Sequence, residues 1–556
     1  MARNILKSSL ENASFNIVFQ IFCRGITFLL NAFVIRHVGE EVLGVMNVRL
    51  LLLESMILFL SREPFFKACL TNSVNHNWAQ VINLLWLTIP ICVFISTLFT
   101  YIWLFTLTTT EQLPHYYTFA VLAVAISCII YLLSLNIQLI SSAFLFVKFK
   151  IIVDTSTIGF RTLIFISIIL YRPENALLAF GIAQLAAMIF HTLAHYIYFY
   201  WYIQKLNNER LKLKKHEEND EMIINSGDNG FPFKSVKEFL PCQLQNKDSH
   251  FNENLTVLTW SFFRQSILMQ ILTEGERIIM TILPILTFAE QGSYDIVNNL
   301  GSLAARFIFR PIEDSAYFYF TQMIERDSSL NNQHPEKVRE SVNVLKHLLS
   351  TVTSVGLVIL VFGQSYSSTL LWLYGGTKLT APLPVLLMRA HCLAVLLLGI
   401  NGVTECYTNA TADSKHINKS NFIMIYQSIT FLLASYIFAM WLGPVGFILG
   451  NCVNMSLRIY HSIKFINRRH LDNDYKPLSG LVPKPIFSGC LTASAIVTTI
   501  SQMYLIPDQK FFHVLIGLLM FFIVIVAWIY EHSELVEMGV KKWQERKIQR
   551  QQIKID

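Results

Sequence analysis

Blocks of about twenty apolar residues recur from residue 15 to residue 530, as in FFHVLIGLLMFFIVIVAWIY at 511–530, with no domain-sized polar gap between them. A helix of that length crosses roughly 30 Å of hydrocarbon. Inside lipid every backbone N–H and C=O needs a partner within its own segment or in a closed barrel. Blocks without strand-like alternation meet that need as helices. The chain is therefore expected to be an all-α polytopic membrane protein. Composition agrees, since 53% of the 556 residues are hydrophobic and 15% charged, against about 25% charged in soluble domains. The polar start MARNILKSSLENAS is not followed by a short apolar core and a small-residue cleavage site, so the first helix is expected to be retained.

The blocks segment into fourteen helices, at 15–36, 42–61, 80–107, 117–146, 151–170, 176–203, 254–286, 292–322, 347–373, 381–404, 421–442, 444–463, 485–506 and 511–530. With a cytoplasmic N-terminus, 31 of the 44 Lys and Arg fall on the cytoplasmic side, four on the opposite side (Arg36, Arg172, Lys378, Lys510) and nine within helices. That asymmetry is what the positive-inside rule demands, and miscounting one helix would invert it for every later loop. Both termini are thus expected in the cytoplasm. The net charge of +7 matters less than this distribution. The longest connection, with KLNNERLKLKKHEEND and NSGDNG, reads as a charged linker too poor in apolar residues to fold alone. The expected organisation is an N-lobe of six helices at 1–203, a linker at 204–253, a C-lobe of six at 254–466, two further helices within 467–530, and a basic tail at 531–556. Two lobes of equal helix number are typical of transporters.

The nine basic residues inside helices are Arg24, Arg49, Arg161, Arg264, Arg277, Arg306, Arg310, Arg389 and Arg458, and none is a lysine. An arginine at the centre of a membrane helix costs on the order of 2.5–3.5 kcal/mol, so each needs a partner. Its planar fork holds carboxylates and phosphates through two parallel bonds, which a lysine cannot do. Internal pairing is one answer: Glu54, Asp154, Glu274, Glu276, Glu313, Asp314 and Glu405 lie in or near the same helices, and Glu274 to Arg277 and Arg310 to Glu313 and Asp314 have helical-neighbour spacing. Arg458, near a helix end, is expected to snorkel. Arg306 and Arg310 in LAARFIFRPIEDS point instead to an anion or a wet cavity, as does the charged turn TEGER (273–277) within its apolar helix.

Other chemistry is poorly supported. No GK dipeptide occurs, so there is no Walker A loop. HTLAH at 191–195 lacks further metal ligands and reads as a structural pair. Nine scattered cysteines read as small core residues. A lipid-sugar glycosyltransferase would need carboxylates in a sizeable lumenal loop; only Glu40 and Glu41 are candidates, and they read as solvated surface. Five N-x-S/T tripeptides fall on the cytoplasmic side or within helices and are expected to be unused. No enzyme activity, cofactor, metal or nucleic-acid partner is implied.

The segments VLGVMNVRLLLLESMILFLSREPFFKACL (42–70), SFFRQSILMQILTEGERIIM (261–280), GSYDIVNNLGSLAARFIFRPIEDS (292–315), NGVTECYTNA (401–410) and VGFILGNCVNM (445–455) resemble the endoplasmic-reticulum dolichol-linked oligosaccharide translocation protein family, a branch of the multidrug, oligosaccharidyl-lipid and polysaccharide exporter superfamily. The resemblance implies fourteen helices in two lobes and a role in protein N-glycosylation. It also implies a substrate, dolichyl-diphosphate-linked Man5GlcNAc2, moved from the cytosolic to the lumenal leaflet without ATP. Membrane lipids and glycosylation-pathway proteins are its implied partners. The alternative it leaves open is an accessory or glycolipid-binding protein that does not itself flip lipid. By similarity to lipid II flippases, whose cavity is lined by arginines, the expected substrate-binding residues are Arg24, Arg264, Arg277 and Arg310, with Arg62 at the cytoplasmic mouth and Glu276 orienting or neutralising them.

Overall fold

The computed structural model describes residues 25, 30–70, 77–107, 113–144, 146–217, 231–241, 252–283, 285–325, 330, 333–470, 475–506, 509–533 and 537. Among these there is no strand. Unit one, Met1–Gly292, contains α1 (Glu40–Leu70), α2 (Trp78–Thr106), α3 (Tyr117–Leu132), α4 (Leu135–Ala143), α5 (Val147–Tyr171), α6 (Ala176–Glu217) and α7 (Glu253–Ile282). The division falls inside α8 (Phe288–Gly301). Unit two, Ser293–Asp556, contains α9 (Arg310–Met323), α10 (Pro335–Gly375), α11 (Pro382–Thr411), α12 (Ser414–Leu442), α13 (Val445–Arg469), α14 (Pro485–Leu505) and α15 (Lys510–Glu531).

Nine helices among the described residues are long and apolar enough to cross a membrane, and ten if α3 and α4, bent by 47° at their junction, form one span. The first expected span lies largely outside the described residues. The other three expected spans correspond to α7, to α8 with α9, and to α13, all helical; α8 and α9 are each 14 residues long, and α7 and α13 are not among the qualifying spans. The charged and polar side chains of α7 lead to the candidate site.

In unit one α1 is central, with α2, α3 and α7 against it, while α6 packs on α3 and α5. Ser55 of α1 meets Gln270 and Glu274 of α7, whereas Arg49, six residues earlier, meets Phe288, so the two helices are antiparallel. The helix expected to open the second lobe thus packs within unit one. Gly44 and Gly292 let α1 and α8 touch backbone to backbone: a Cβ on Gly44 would lie 2.0 Å from the Phe288 carbonyl oxygen, and one on Gly292 2.1 Å from that of Glu40. Such small-residue contacts bring membrane helices together where no hydrophobic force distinguishes protein from lipid.

The long linker departs from expectation in two ways. Its first residues extend α6 to Glu217, and residues 231–241 (FPFKSVKEFLP) form a strap docked on unit one. Phe231, Phe233 and Phe239 are buried with Ile82, Ile137 and Phe199, and the Phe239 carbonyl accepts bonds from Trp86 Nε1 (2.9 Å) and Asn136 Nδ2 (3.2 Å). A capping box of Ser235 and Glu238 starts its single helical turn.

Unit two centres on α10 and α11, around buried Phe309, Phe320, Leu345, Leu349, Val403, Tyr407 and Ile466. The pair α14–α15 packs against α10 through Ser365 Oγ donating to Thr498 Oγ1 (3.2 Å) and Tyr366 OH donating to the His513 carbonyl (2.8 Å). Glu531 at the end of α15 accepts from the free N–H groups of Ile486 and Phe487, capping α14. None of the seven described cysteines is in a disulfide with another described residue, and six are buried.

Candidate functional site

The helix α7 is built inside out. Thr259, Ser266 and Gln270 are buried, while Val257, Trp260, Ile267, Met269 and Ile271 are exposed. In water this pattern would be unstable. In lipid it is the natural one, with polar side chains gathered where protein can satisfy them. Gln270 Nε2 donates to Ser55 Oγ at 2.9 Å, Ser55 Oγ donates to Glu274 Oε1 at 3.2 Å, and Arg277 Nη1 donates to Glu274 Oε2 at 3.2 Å. The TEGER turn therefore joins a polar seam between α7 and α1, and the spacing-based Glu274–Arg277 pair is present.

Two further networks extend from α1. Arg161 Nη1 donates to Gln184 Oε1 (3.0 Å), and Gln184 Nε2 donates to Glu54 Oε1 (2.9 Å), joining α5, α6 and α1 through a fully buried amide. Nearer the end of α1, Arg62 pairs with Glu63 at 2.8 Å, reaches Gln138 Oε1 at 3.5 Å, and lies 4.8 Å from the Phe66 ring centroid and 5.7 Å from that of Tyr131. Its Nε is buried without a hydrogen-bond partner among the described residues. Close by, Lys150 Nζ donates to Ser142 Oγ at 3.3 Å and lies 5.7 Å from the Phe66 ring centroid. The two histidines of HTLAH are packed in this region, His191 Nε2 lying 3.4 Å from Asp154 Oδ1.

The expected site residues distribute as follows. Arg24 lies outside the described residues. Arg62 and Arg277 are half-buried and ion-paired, and Glu276, next to Arg277 in sequence, is also half-buried. Arg264 is exposed on the stripe of Trp260, Ile267 and Ile271, and makes no hydrogen bond or ion pair among the described residues. Because α1 and α7 are antiparallel with Ser55 against Gln270, Arg62 comes to the same level of unit one as Arg264. Arg310 belongs to unit two, exposed and 3.8 Å from Asp314. Arg306 donates to the Asn299 carbonyl at 3.2 Å and to Ser302 Oγ. Arg458 does not snorkel: its Nη2 lies 2.6 and 2.5 Å from the two Glu405 carboxylate oxygens, because α13 packs against α11 and brings the two side chains together.

Sequence reasoning passed over the amides Gln138, Gln184 and Gln270 and the hydroxyl of Ser55. Their signal was weak but readable, as uncharged polar side chains inside apolar blocks. With Glu54, Arg62, Arg161 and Glu274 they form three separate hydrogen-bonded groups along α1, each suited to holding charge within a membrane.

A family model described as "Rft-1: Rft protein" matches residues 8–542. A Drosophila melanogaster protein named Man(5)GlcNAc(2)-PP-dolichol translocation protein RFT1 is 43% identical over 97% of this chain and 98% of its own. Proteins of the same name from Xenopus tropicalis and Mus musculus are 38% and 36% identical, covering 96% and 93% of this chain and 96% and 93% of their own. Among solved structures, the fold is similar to that of lipid II flippase MurJ in an inward closed conformation, with a TM-score of 0.60 at 13% identity, covering 94% of this chain and 100% of that one. It is also similar to an inward-facing multidrug resistance MATE family transporter of the MOP superfamily, with a TM-score of 0.55 at 11% identity, covering 80% and 95%.

Proposed function

This chain belongs to the Rft protein family, and from that premise we propose that it translocates dolichyl-diphosphate-linked Man5GlcNAc2 from the cytosolic to the lumenal leaflet of the endoplasmic reticulum membrane. The membrane's obstacle is the diphosphate and glycan, which hydrocarbon excludes; the dolichol tail is at home in lipid throughout. What the protein must supply is a polar path for the headgroup and cations for its charge. The observation that carries the reading is α7, whose polar residues are buried and bonded to α1 while Arg264 stands exposed near the level of Arg62. Arg264 is the strongest candidate for meeting the diphosphate, with Arg24, Arg62, Arg277 and Arg310 as further cations and Glu276 as a counter-charge. The reading includes alternating exposure of the site to the two leaflets without ATP, supported by the absence of a Walker A loop from the sequence and by the transporter folds it resembles. No bond is made or broken.

The experiment is reconstitution of purified full-length protein in liposomes carrying the authentic lipid-linked heptasaccharide in one leaflet. Faster equilibration between leaflets than in protein-free liposomes is expected. Folded protein that binds the glycolipid yet leaves its flip rate unchanged would replace translocation with a holding or accessory role.

A further inference from the structure

The helices α12 and α13 form an antiparallel hairpin turned at Gly443 and Pro444. Near the turn they are in close contact, since a Cβ on Gly446 would lie 2.2 Å from the Phe438 carbonyl carbon and one on Gly450 2.3 Å from Ser435 Oγ. At the far end they leave a cavity of about 420 Å³. Its polar lining is Lys419 from α12 and His461, Lys464, Arg468 and Arg469 from α13; Ile423 and Phe465 complete the wall. The spacing on α13 is one helical face, so the cations converge instead of radiating into solvent.

Four cations thus line one concavity, whose lining among the described residues holds no carboxylate. Two acids act on its rim: Glu405, engaged by Arg458, also reaches His461 with its charge, and Asp413 acts on Arg469, which leaves Lys419, Lys464 and Arg468 as the cations facing the space. Lys419 from α12 and Lys464 from α13 line the same space as His461, so the two helices contribute cations from opposite sides. Arg469 is held by a bond from Nη2 to the Glu325 carbonyl at 3.1 Å, while its Nε is buried with no hydrogen-bond partner among the described residues. Like charges gathered this way repel one another, and an anion between them relieves that repulsion.

The surroundings indicate where the anion comes from. The apolar span on α12 is Phe422–Leu442, so Lys419 lies one turn beyond its end, at headgroup depth. Phe422, Tyr426 and Tyr460 beside the cavity are exposed by 65–76%, an aromatic and apolar face of the kind that borders lipid. We infer that the cationic cavity between α12 and α13 binds the phosphate headgroup of an anionic membrane lipid, whose chains lie along the exposed face of α12. The site lies wholly in unit two and does not depend on the proposed translocation.

The test uses full-length protein in detergent, with retention of added lipid read by native mass spectrometry. The probes are dioleoyl phosphatidic acid, dioleoyl phosphatidylcholine and inorganic diphosphate. Phosphatidic acid is expected to be retained in preference to phosphatidylcholine. With each basic residue near a membrane surface contributing about fivefold in affinity for anionic lipid, Lys464→Gln with Arg468→Gln weakens that retention roughly 30-fold. The charge-conserving Lys464→Arg with Arg468→Lys retains most of it, and all three proteins keep the same melting temperature. Variant-sensitive binding of inorganic diphosphate without retention of phosphatidic acid would make the ligand a soluble phosphate compound and overturn the lipid assignment. Equal retention of both lipids, or retention of phosphatidic acid unchanged in the double glutamine variant, would overturn the site.

Discussion

Removing Arg458 is expected to strand Glu405. The guanidinium makes two contacts of 2.5 and 2.6 Å with the carboxylate, and the two side chains retain 31% and 22% of their exposure. Breaking a fully buried pair by deleting one partner costs roughly 3–5 kcal/mol, whereas a fully exposed pair contributes at most about 1 kcal/mol. A pair between these limits implies a loss of about 2 kcal/mol for Arg458→Leu. For a unit of this size that corresponds to a melting-temperature drop of roughly 4–8 °C. The loss lies mainly in the carboxylate left behind, so neutralising that carboxylate should recover it. Glu405→Gln is the suitable second change because its amide oxygen can still accept from Asn401 Nδ2, which now donates to Glu405 at 3.1 Å. The assay is fluorescence-detected size exclusion of detergent-solubilised protein after a temperature series. Arg458→Leu should melt early, and Arg458→Leu with Glu405→Gln should return to within about 2 °C of the parent, the non-additivity expected of residues in direct contact. A single variant as stable as the parent would refute the reasoning. So would a double variant less stable than the single one.

Arg264 should behave in the opposite way: Arg264→Ala leaves the melting temperature within about 1 °C, because no carboxylate is stranded, while N-glycosylation fails in cells that depend on this chain, and Arg264→Lys gives an intermediate defect. Loss of protein in step with loss of glycosylation would count against a substrate role. Phe239→Ala should undock the strap, since emptying a buried phenylalanine site costs roughly 3 kcal/mol or more; trypsin cleavage after Lys234 and Lys237, mapped by mass spectrometry, should then accelerate on the order of a hundredfold, and an unchanged rate would contradict the docking. His470, just beyond the end of α13, is buried against Tyr407, and burial followed by the Arg469 charge pushes it down to about 4. An ordinary histidine titrates near 6.5, so the unfolded chain takes up a proton first as pH falls. The stability due to neutral His470 is complete above about 6.5 and is lost progressively towards 4, amounting to roughly 2 kcal/mol at pH 5. Melting temperatures at pH 7 and pH 5 should therefore diverge more in the parent than in His470→Gln, and equal divergence would refute this.

How far these features can be read from the sequence depends on the range of the interaction. Apolar blocks are local, and so the qualifying spans fall where hydropathy puts them. The helices α7, α8 with α9, and α13 are legible as weaker apolar blocks, and the parity of positive charge across successive loops is what argues for counting them as spans. Pairs one turn apart are also local, and Glu274–Arg277 and Arg310–Asp314 are both present. The pair Glu405–Arg458 and the chain Glu54–Gln184–Arg161 join different helices and have no signature in spacing. The strap was hidden for another reason. Averaged over the linker its three phenylalanines are diluted by charge, and only the surface formed by Trp78, Trp86, Phe144 and Phe199 makes FPFKSVKEFLP a docking segment.

These different ranges also sort the intramembrane arginines. Arg161, Arg277 and Arg458 are engaged with side chains of their own unit, and Arg49 and Arg389 donate to the carbonyls of Leu107 and Gln364. An arginine whose fork is already filled can act on an anion only by giving up that partner, at the cost of exposing a carboxylate or a carbonyl. Arg264, exposed and without such a partner among the described residues, gives up nothing when an anion arrives. Arg62 is intermediate, since its pairing with adjacent Glu63 is local and partly exposed while its Nε is unmatched. If unit one receives the diphosphate as proposed, Arg264 is the cation free to meet it first and Arg62 can add a second contact, while the ion-paired arginines hold their own units together. Substitutions at the first two should then change headgroup binding before they change stability, and those at the others should do the reverse.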